Sequence, residues 1–160
     1  MCKCTSLNRE LVCIQIRKGR DKCKDAEWLL PSIKFLPKSN AYGLWPASGE
    51  IDLVQSRGNR ELIGNGINIG TDQISSALHF GPYAKADAGH ANMFTRISRE
   101  MDKGFNGSFH CYQMKWSTDK IIFSVDDIEI ATIKAKSGFW NKCKLESQLP
   151  GTHNPWDSAK

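Results

Sequence analysis

An all-β fold, two packed sheets or a barrel, is what this sequence predicts, and three observations carry that reading. Short runs rich in β-branched and aromatic residues recur along the 160 residues, separated by Gly, Pro, Asn or Asp turn signals. Spacing of about 8–12 residues between such turns is the signature of a sandwich or barrel. Several runs alternate apolar with polar positions, the period of a strand with one buried face. Residues 96–103 are the one stretch with helical character, and it is weak.

The elements follow in order. Residues 11–17, Leu-Val-Cys-Ile-Gln-Ile-Arg, are β-branched and bounded by charge, so a strand. Residues 28–36 are apolar, interrupted by Pro31 and closed by Pro37-Lys38-Ser39-Asn40. A Gly- and Pro-containing loop over residues 42–48 leads into a strand at residues 50–56. Residues 75–80 read as a strand stopped by Gly81-Pro82. Across residues 109–116, His110, Tyr112, Met114 and Trp116 alternate with Phe109, Cys111, Gln113 and Lys115. Residues 121–125 and 128–133 flank Asp126-Asp127 as a hairpin. Residues 1–10 read as an irregular lead-in, and residues 11–160 as one domain. Trp116 and Trp140 are expected in the core.

Composition narrows the function classes. At 40% hydrophobic and 24% charged residues the chain is an ordinary globular sequence, which excludes collagen-like, mucin-like and disordered classes. No apolar run approaches the roughly 20 residues of a membrane helix, so no membrane span is expected. The start, Met1-Cys2-Lys3-Cys4-Thr5-Ser6, lacks the apolar stretch of a secretory signal. As written the chain is cytosolic, or a piece without its targeting segment. The net charge of +5 arises entirely within residues 1–40. The basic run Arg17-Lys18-Gly19-Arg20-Asp21-Lys22-Cys23-Lys24 has no interleaved aromatics and reads as a solvated turn, so a nucleic-acid partner is not expected. Six cysteines, with no Cys-x-x-Cys pair, suit free thiols inside a cell or one or two disulfides outside it. No metal site and no cofactor is expected, and Asn106-Gly107-Ser108 is a glycosylation sequon if the chain is secreted.

The stretch that carries chemistry is Glu50-Ile51-Asp52-Leu53-Val54-Gln55. Residues two apart on a strand share a face, so Glu50 and Asp52 project together, about 7 Å apart along the strand. Two carboxylates that close in a low-dielectric cleft oppose each other's ionisation, and one is expected to hold a raised pKa. Strict alternation puts Val54 on their face and Gln55 opposite, unless a β-bulge intervenes.

This segment resembles the Glu-x-Asp-x-x-Glu signature of glycoside hydrolase family sixteen, the laminarinase-like β-jelly-roll enzymes. It is more similar still to the invertebrate β-1,3-glucan-binding, or Gram-negative bacteria-binding, proteins. The supporting stretches are Leu36-Pro37-Lys38-Ser39-Asn40-Ala41-Tyr42-Gly43, Ala77-Leu78-His79-Phe80-Gly81-Pro82, Phe109-His110-Cys111-Tyr112, Trp116-Ser117-Thr118-Asp119-Lys120-Ile121 with Val125-Asp126, and Gly151-Thr152-His153-Asn154-Pro155-Trp156. The resemblance implies an incomplete jelly-roll sandwich over residues 11–160, about the middle half of the family's catalytic domain, and an extracellular location.

The resemblance also implies roles. Glu50 stands at the nucleophile position and Asp52 at that of its electrostatic helper, with a bulge turning the third position, Gln55, into the cleft. A glutamine there cannot transfer the proton that a retaining glycosidase needs. Trp45, His79, His110 and Tyr112 are expected to line the substrate groove. Two further departures, Leu30 and Lys34 where the family has tryptophans, remove sugar-stacking platforms. The expected function is therefore β-1,3-glucan binding in innate immune recognition without catalysis. A retaining endo-β-1,3-glucanase, and a fragment without autonomous function, are the alternatives.

Overall fold

The computed structural model describes residues 28–59, 61–87, 105, 108–134 and 137–157 in full, and the backbone alone of residues 3–8, 11–16 and 93–97. The strands are β1 (Lys3–Asn8), β2 (Leu11–Ile16), β3 (Ser32–Phe35), β4 (Glu50–Ser56), β5 (Ile63–Gly64), β6 (Ile67–Asn68), β7 (Gln73–His79), β8 (Met93–Ile97), β9 (His110–Trp116), β10 (Lys120–Val125) and β11 (Ile128–Lys134). Two short helices follow, α1 (Gly138–Lys142) and α2 (Leu145–Gln148). One sheet has the order β1-β2-β9-β10-β11 and the other β3-β4-β7-β8, with β5-β6 as a small separate hairpin. The strand pairs are antiparallel throughout.

The two large sheets meet through a shared core. Ile51, Leu53, Val54, Ile74 and Leu78 of one sheet pack against Tyr112, Met114, Ile121, Phe123, Val125 and Ile133 of the other. Alternation explains the β10 face. Ile121, Phe123 and Val125 are buried while Lys120, Ile122 and Ser124 are only half-buried. Phe123 has no exposed surface and stands opposite Met114 and Ala131 in its neighbours. The β10–β11 turn has Asp126 at φ 51° and Asp127 at φ 62°. Two consecutive left-handed residues give the type I′ hairpin, whose twist matches that of the strands.

Three expectations change. Residues 3–8, read as irregular, form β1 and pair with β2. Residues 96–97, the start of the weak helical stretch, belong to β8; β pairing with β7 overrides the local helical preference. Residues 98–103 lie outside the described residues, as do the basic run at 17–24, Cys2, Cys23, the side chains of Cys4 and Cys13, and Asn106-Gly107. Trp116 is 53% exposed at the end of β9, whereas Trp140 is buried on α1, its Nε1 donating to Glu146 Oε2 at 2.9 Å. The β5–β6 hairpin turns on Asn65 at φ 51° and Gly66 at φ 77°, an Asn-Gly turn signal that the reading of the sequence passed over. Cys111 is disulfide-bonded.

Candidate active-site cleft

Strand β4 builds the site because its two faces differ. Ile51, Leu53 and Val54 all enter the core, and two consecutive core residues cannot come from a regular strand. The ladder shows the cause. Asp52 pairs with Ala77 and Gln55 with Ser75, so three steps on β4 span two on β7. The same extra residue appears against β3, where Ile33 pairs with Val54 and Lys34 with Asp52. This β-bulge returns Gln55 to the side of Glu50 and Asp52. Its Nε2 donates to Asp52 Oδ2 at 2.5 Å. Strict alternation without a bulge, which would send Gln55 to the opposite face, is not what forms.

Each carboxylate is held by specific donors. Glu50 accepts from Lys34 Nζ at Oε1, 2.5 Å, and from Trp45 Nε1 at Oε2, 2.6 Å. Asp52 has no exposed surface. Its Oδ1 makes no hydrogen bond and lies 3.2 Å from the Lys34 ammonium. Its Oδ2 faces His79 Nε2 at 3.3 Å. The loop before β4 fixes Trp45: Ser48 Oγ donates to Gly43 O at 2.7 Å, and Trp156 Nε1 donates to Ala47 O at 2.8 Å. Gly49, at φ 82°, makes the turn into Glu50 that a Cβ would strain.

His79 links the site to a residue the sequence reading missed. Its Nδ1 lies 2.8 Å from Asp87 Oδ2, and Asp87 is delivered by the short 3-10 turn at Ala84–Ala86. That turn folds directly over Gly81, where a Cβ would come within 2.0 Å of Ala86 O, so only glycine permits the approach. No local spacing signalled Asp87, because the contact depends on this close return of the chain.

The carboxylates split as two like charges in one dry site must. Burial, followed by the hydrogen bond and charge of Glu50, raises the Asp52 pKa against the pull of Lys34. Burial also pushes Glu50 upward, but Lys34, Asp52 and Trp45 together hold it below the ordinary value. Lys34 is raised, burial being outweighed by its hydrogen bonds and ion pairs with Glu50 and Asp52. Burial lowers His79, but the Asp87 hydrogen bond and charge, with the charges of Asp52 and Glu50, more than reverse this and raise it.

The raised His79 gives a pH prediction with a definite sign. The folded chain keeps a proton that the unfolded chain releases, so stability falls as pH rises. The contribution is complete below the ordinary histidine value of about 6.5 and is lost as pH passes through the higher folded value. Urea denaturation across this window should show declining stability in the native chain and a flatter profile in His79→Gln. Equal slopes would remove His79 as the cause.

The structure gathers Glu50, Asp52, Gln55, Trp45 and His79, and does not bring His110 or Tyr112 to them. Both lie on β9 of the other sheet, whose inward positions face the shared core. Tyr112 is 5% exposed within the core cluster, and burial, aided by the Asp126 charge, raises its hydroxyl pKa. His110 donates or accepts at Nδ1 with Asp126 Oδ2, 2.8 Å, and packs edge-on against Phe105. The alternation grouped them on one face without saying which sheet, or which side of it, that face belongs to. Lys34 was read as a lost platform; it is in addition the cation of the site. Leu30 is exposed and supplies no aromatic surface.

Glu50, Asp52 and His79 present ligand atoms within 4.8 Å of one another, a set able to contact one metal ion. The Lys34 ammonium already bonds two of the three, which sets a cation in competition with any metal there. Beside Glu50 and His79 a cavity of about 620 Å³ runs between the sheet ends, lined by Phe80, Trp116, Ile121, Ile133, Phe139 and Trp156 among others. Its apolar walls suit core packing more than a polar sugar chain; of the carboxylate row, only Glu50 lines it.

Comparison with known proteins agrees with this architecture. The family model for glycosyl hydrolases family 16 matches residues 37–148. A β-1,3-glucan-binding protein of Penaeus monodon is 34% identical over 140 residues, 86% of this chain and 35% of that protein. A glucan endo-1,3-beta-glucosidase of Cryptopygus antarcticus is 31% identical over 137 residues, 84% of this chain and 45% of its own length. The chain thus spans less than half the length of these relatives. The laminarinase catalytic domain of Thermotoga maritima superposes with a TM-score of 0.59 at 16% identity, covering 91% of this chain and 48% of that one. At that identity the superposition speaks for the fold, a partial β-jelly-roll sandwich. With the family model covering most of its length, the chain belongs to the glycosyl hydrolases of family 16.

Proposed function

We propose that this cleft binds β-1,3-glucan and does not hydrolyse it efficiently, as a recognition protein of innate immunity. The observation that carries the reading is Gln55, turned by the bulge onto the carboxylate face with its amide donating to Asp52. In a retaining mechanism Glu50 would be the nucleophile, Asp52 would steer its charge, and the third position would shuttle the proton. A glutamine amide is nearly isosteric with a protonated glutamic acid and still donates a hydrogen bond. It supplies no proton, and general acid–base catalysis contributes about 10² to 10⁴-fold. Relatives named as β-1,3-glucan-binding proteins and as Gram-negative bacteria-binding protein 1 support the recognition reading. The disulfide at Cys111 supports an extracellular setting.

Trp45 is the sugar platform of this reading. The residue is 43% exposed, and its ring stands 5.8 Å, centroid to centroid, from that of His79. Calorimetric titration with a short linear β-1,3-glucan should show binding by the native chain. Trp45→Ala should lose roughly 2 kcal/mol, about thirtyfold in Kd, and Trp45→Phe, which keeps a ring, should lose less. No binding by the native chain, or unchanged affinity in Trp45→Ala, would count against the cleft as the glucan site.

A second reading has an observation of its own. Glu50 and Asp52 keep a polarised carboxylate pair, with Glu50 ionised and Asp52 raised, and one relative is named a glucan endo-1,3-beta-glucosidase. A slow retaining glucanase would use Glu50 as nucleophile, and Glu50→Gln would abolish its turnover while leaving binding.

A further inference from the structure

Lys34 does more in this cleft than leave out an aromatic ring. It sits on β3 opposite Asp52, where the bulge in β4 lets its side chain reach across the carboxylate row. Its Nζ is 2.5 Å from Glu50 Oε1 and 3.2 Å from Asp52 Oδ1. The other Glu50 oxygen is taken by Trp45 Nε1 at 2.6 Å. Both oxygens of the residue at the nucleophile position therefore carry a donor, one of them an ammonium. The Glu50 side chain is 9% exposed and that of Lys34 35%, so water screens the pair less than it screens a surface ion pair.

The consequence for attack follows from charge. A carboxylate that adds to an anomeric carbon gives up its negative charge to the new C–O bond. An ammonium bound to that carboxylate stabilises the charged ground state and loses its partner as the bond forms, which raises the barrier. Glu50 also has Asp52 of its own strand and His79 of β7 within 4.8 Å, with Asp87 behind His79. Of the cationic groups among the described residues, Lys34 makes the direct contact with Glu50.

We propose that Lys34 is an internal counter-ion that silences Glu50, a block on turnover separate from Gln55. The proposal rests on the reading of Glu50 as the nucleophile position of a glucan cleft, and the test keeps the two apart. In the first arm the probe is 2,4-dinitrophenyl 2-deoxy-2-fluoro-β-laminaribioside. A Glu50 oxygen forms an ester bond to the anomeric carbon as the bond from that carbon to the aryl oxygen breaks. The electron pair leaves with dinitrophenolate, no proton is needed, and Gln55 drops out of the step. Intact mass should show slow labelling of the native chain, labelling at least about tenfold faster in Lys34→Met, and none in Lys34→Met with Glu50→Gln.

The second arm needs no sugar. The carboxyl carbon of Glu50, followed by NMR against pH, should titrate higher in Lys34→Met than in the native chain. Lys34→Gln serves in the same role should the methionine variant fail to melt cooperatively. A Glu50 titration that does not move, or equal labelling of native and Lys34→Met chains, overturns the counter-ion proposal. A titration that moves as expected while no variant labels supports the counter-ion and removes the glucan-cleft reading instead.

Discussion

The double variant Lys34→Met with Gln55→Glu is expected to hydrolyse linear β-1,3-glucan, and neither single change is expected to do so well. Gln55 lies on the carboxylate face through the bulge between Asp52 and Gln55, so a glutamic acid there would meet the same side of the cleft. Its acid–base function should contribute about 10² to 10⁴-fold over Lys34→Met alone. Removing the ammonium that bonds Glu50 should add at least about tenfold over Gln55→Glu alone. Release of reducing ends, followed by mass spectrometry of the products, reads both comparisons. Full activity from Gln55→Glu alone would remove Lys34 as a block. An inert double variant that still melts cooperatively would mean that the groove lacks more than these two groups.

Phe123→Ala is expected to give the largest loss of stability. The side chain has no exposed surface and lies at the centre of the core shared by the two sheets. Truncating a buried phenylalanine costs about 3–5 kcal/mol, transfer and cavity terms together. For a chain of this size that lowers Tm by roughly 2–4 °C per kcal/mol. The effect should reach the site, because β10 packs behind the face of β4 that carries Ile51 and Leu53. Urea denaturation monitored by tryptophan fluorescence is the check. A loss under about 1 kcal/mol would mean that the sheets do not pack as described.

Much of the fold was legible because its signals are local. The strand Glu50–Ser56 was legible after the Gly- and Pro-containing loop over residues 42–48. The Asp126-Asp127 turn announced its hairpin through two residues that tolerate left-handed backbone. Side-chain parity put His110 and Tyr112 on one face of β9 but could not say that this face meets the shared core, since that depends on sheet order. Residues 96–97 went to strand because pairing with β7 is a long-range interaction that local propensity does not contain.

The site was legible in its identities and less so in its electrostatics. Glu50 and Asp52 stood out by spacing and Gln55 only through the resemblance to the family signature, and the adjacent apolar pair Leu53-Val54 is the one local trace of the bulge. Lys34 looked like a loss of surface because its meaning lies in a register, Lys34 opposite Asp52, that no spacing encodes. Asp87 was invisible for the same reason: it reaches His79 through a chain return made possible at Gly81.

The central claim is recognition without turnover, and native mass spectrometry of the chain incubated with a short linear β-1,3-glucan tests it most directly. The account predicts an intact protein–oligosaccharide complex and sugars of unchanged length. Shortened sugars that disappear in Glu50→Gln would contradict it and make the native cleft an enzyme's.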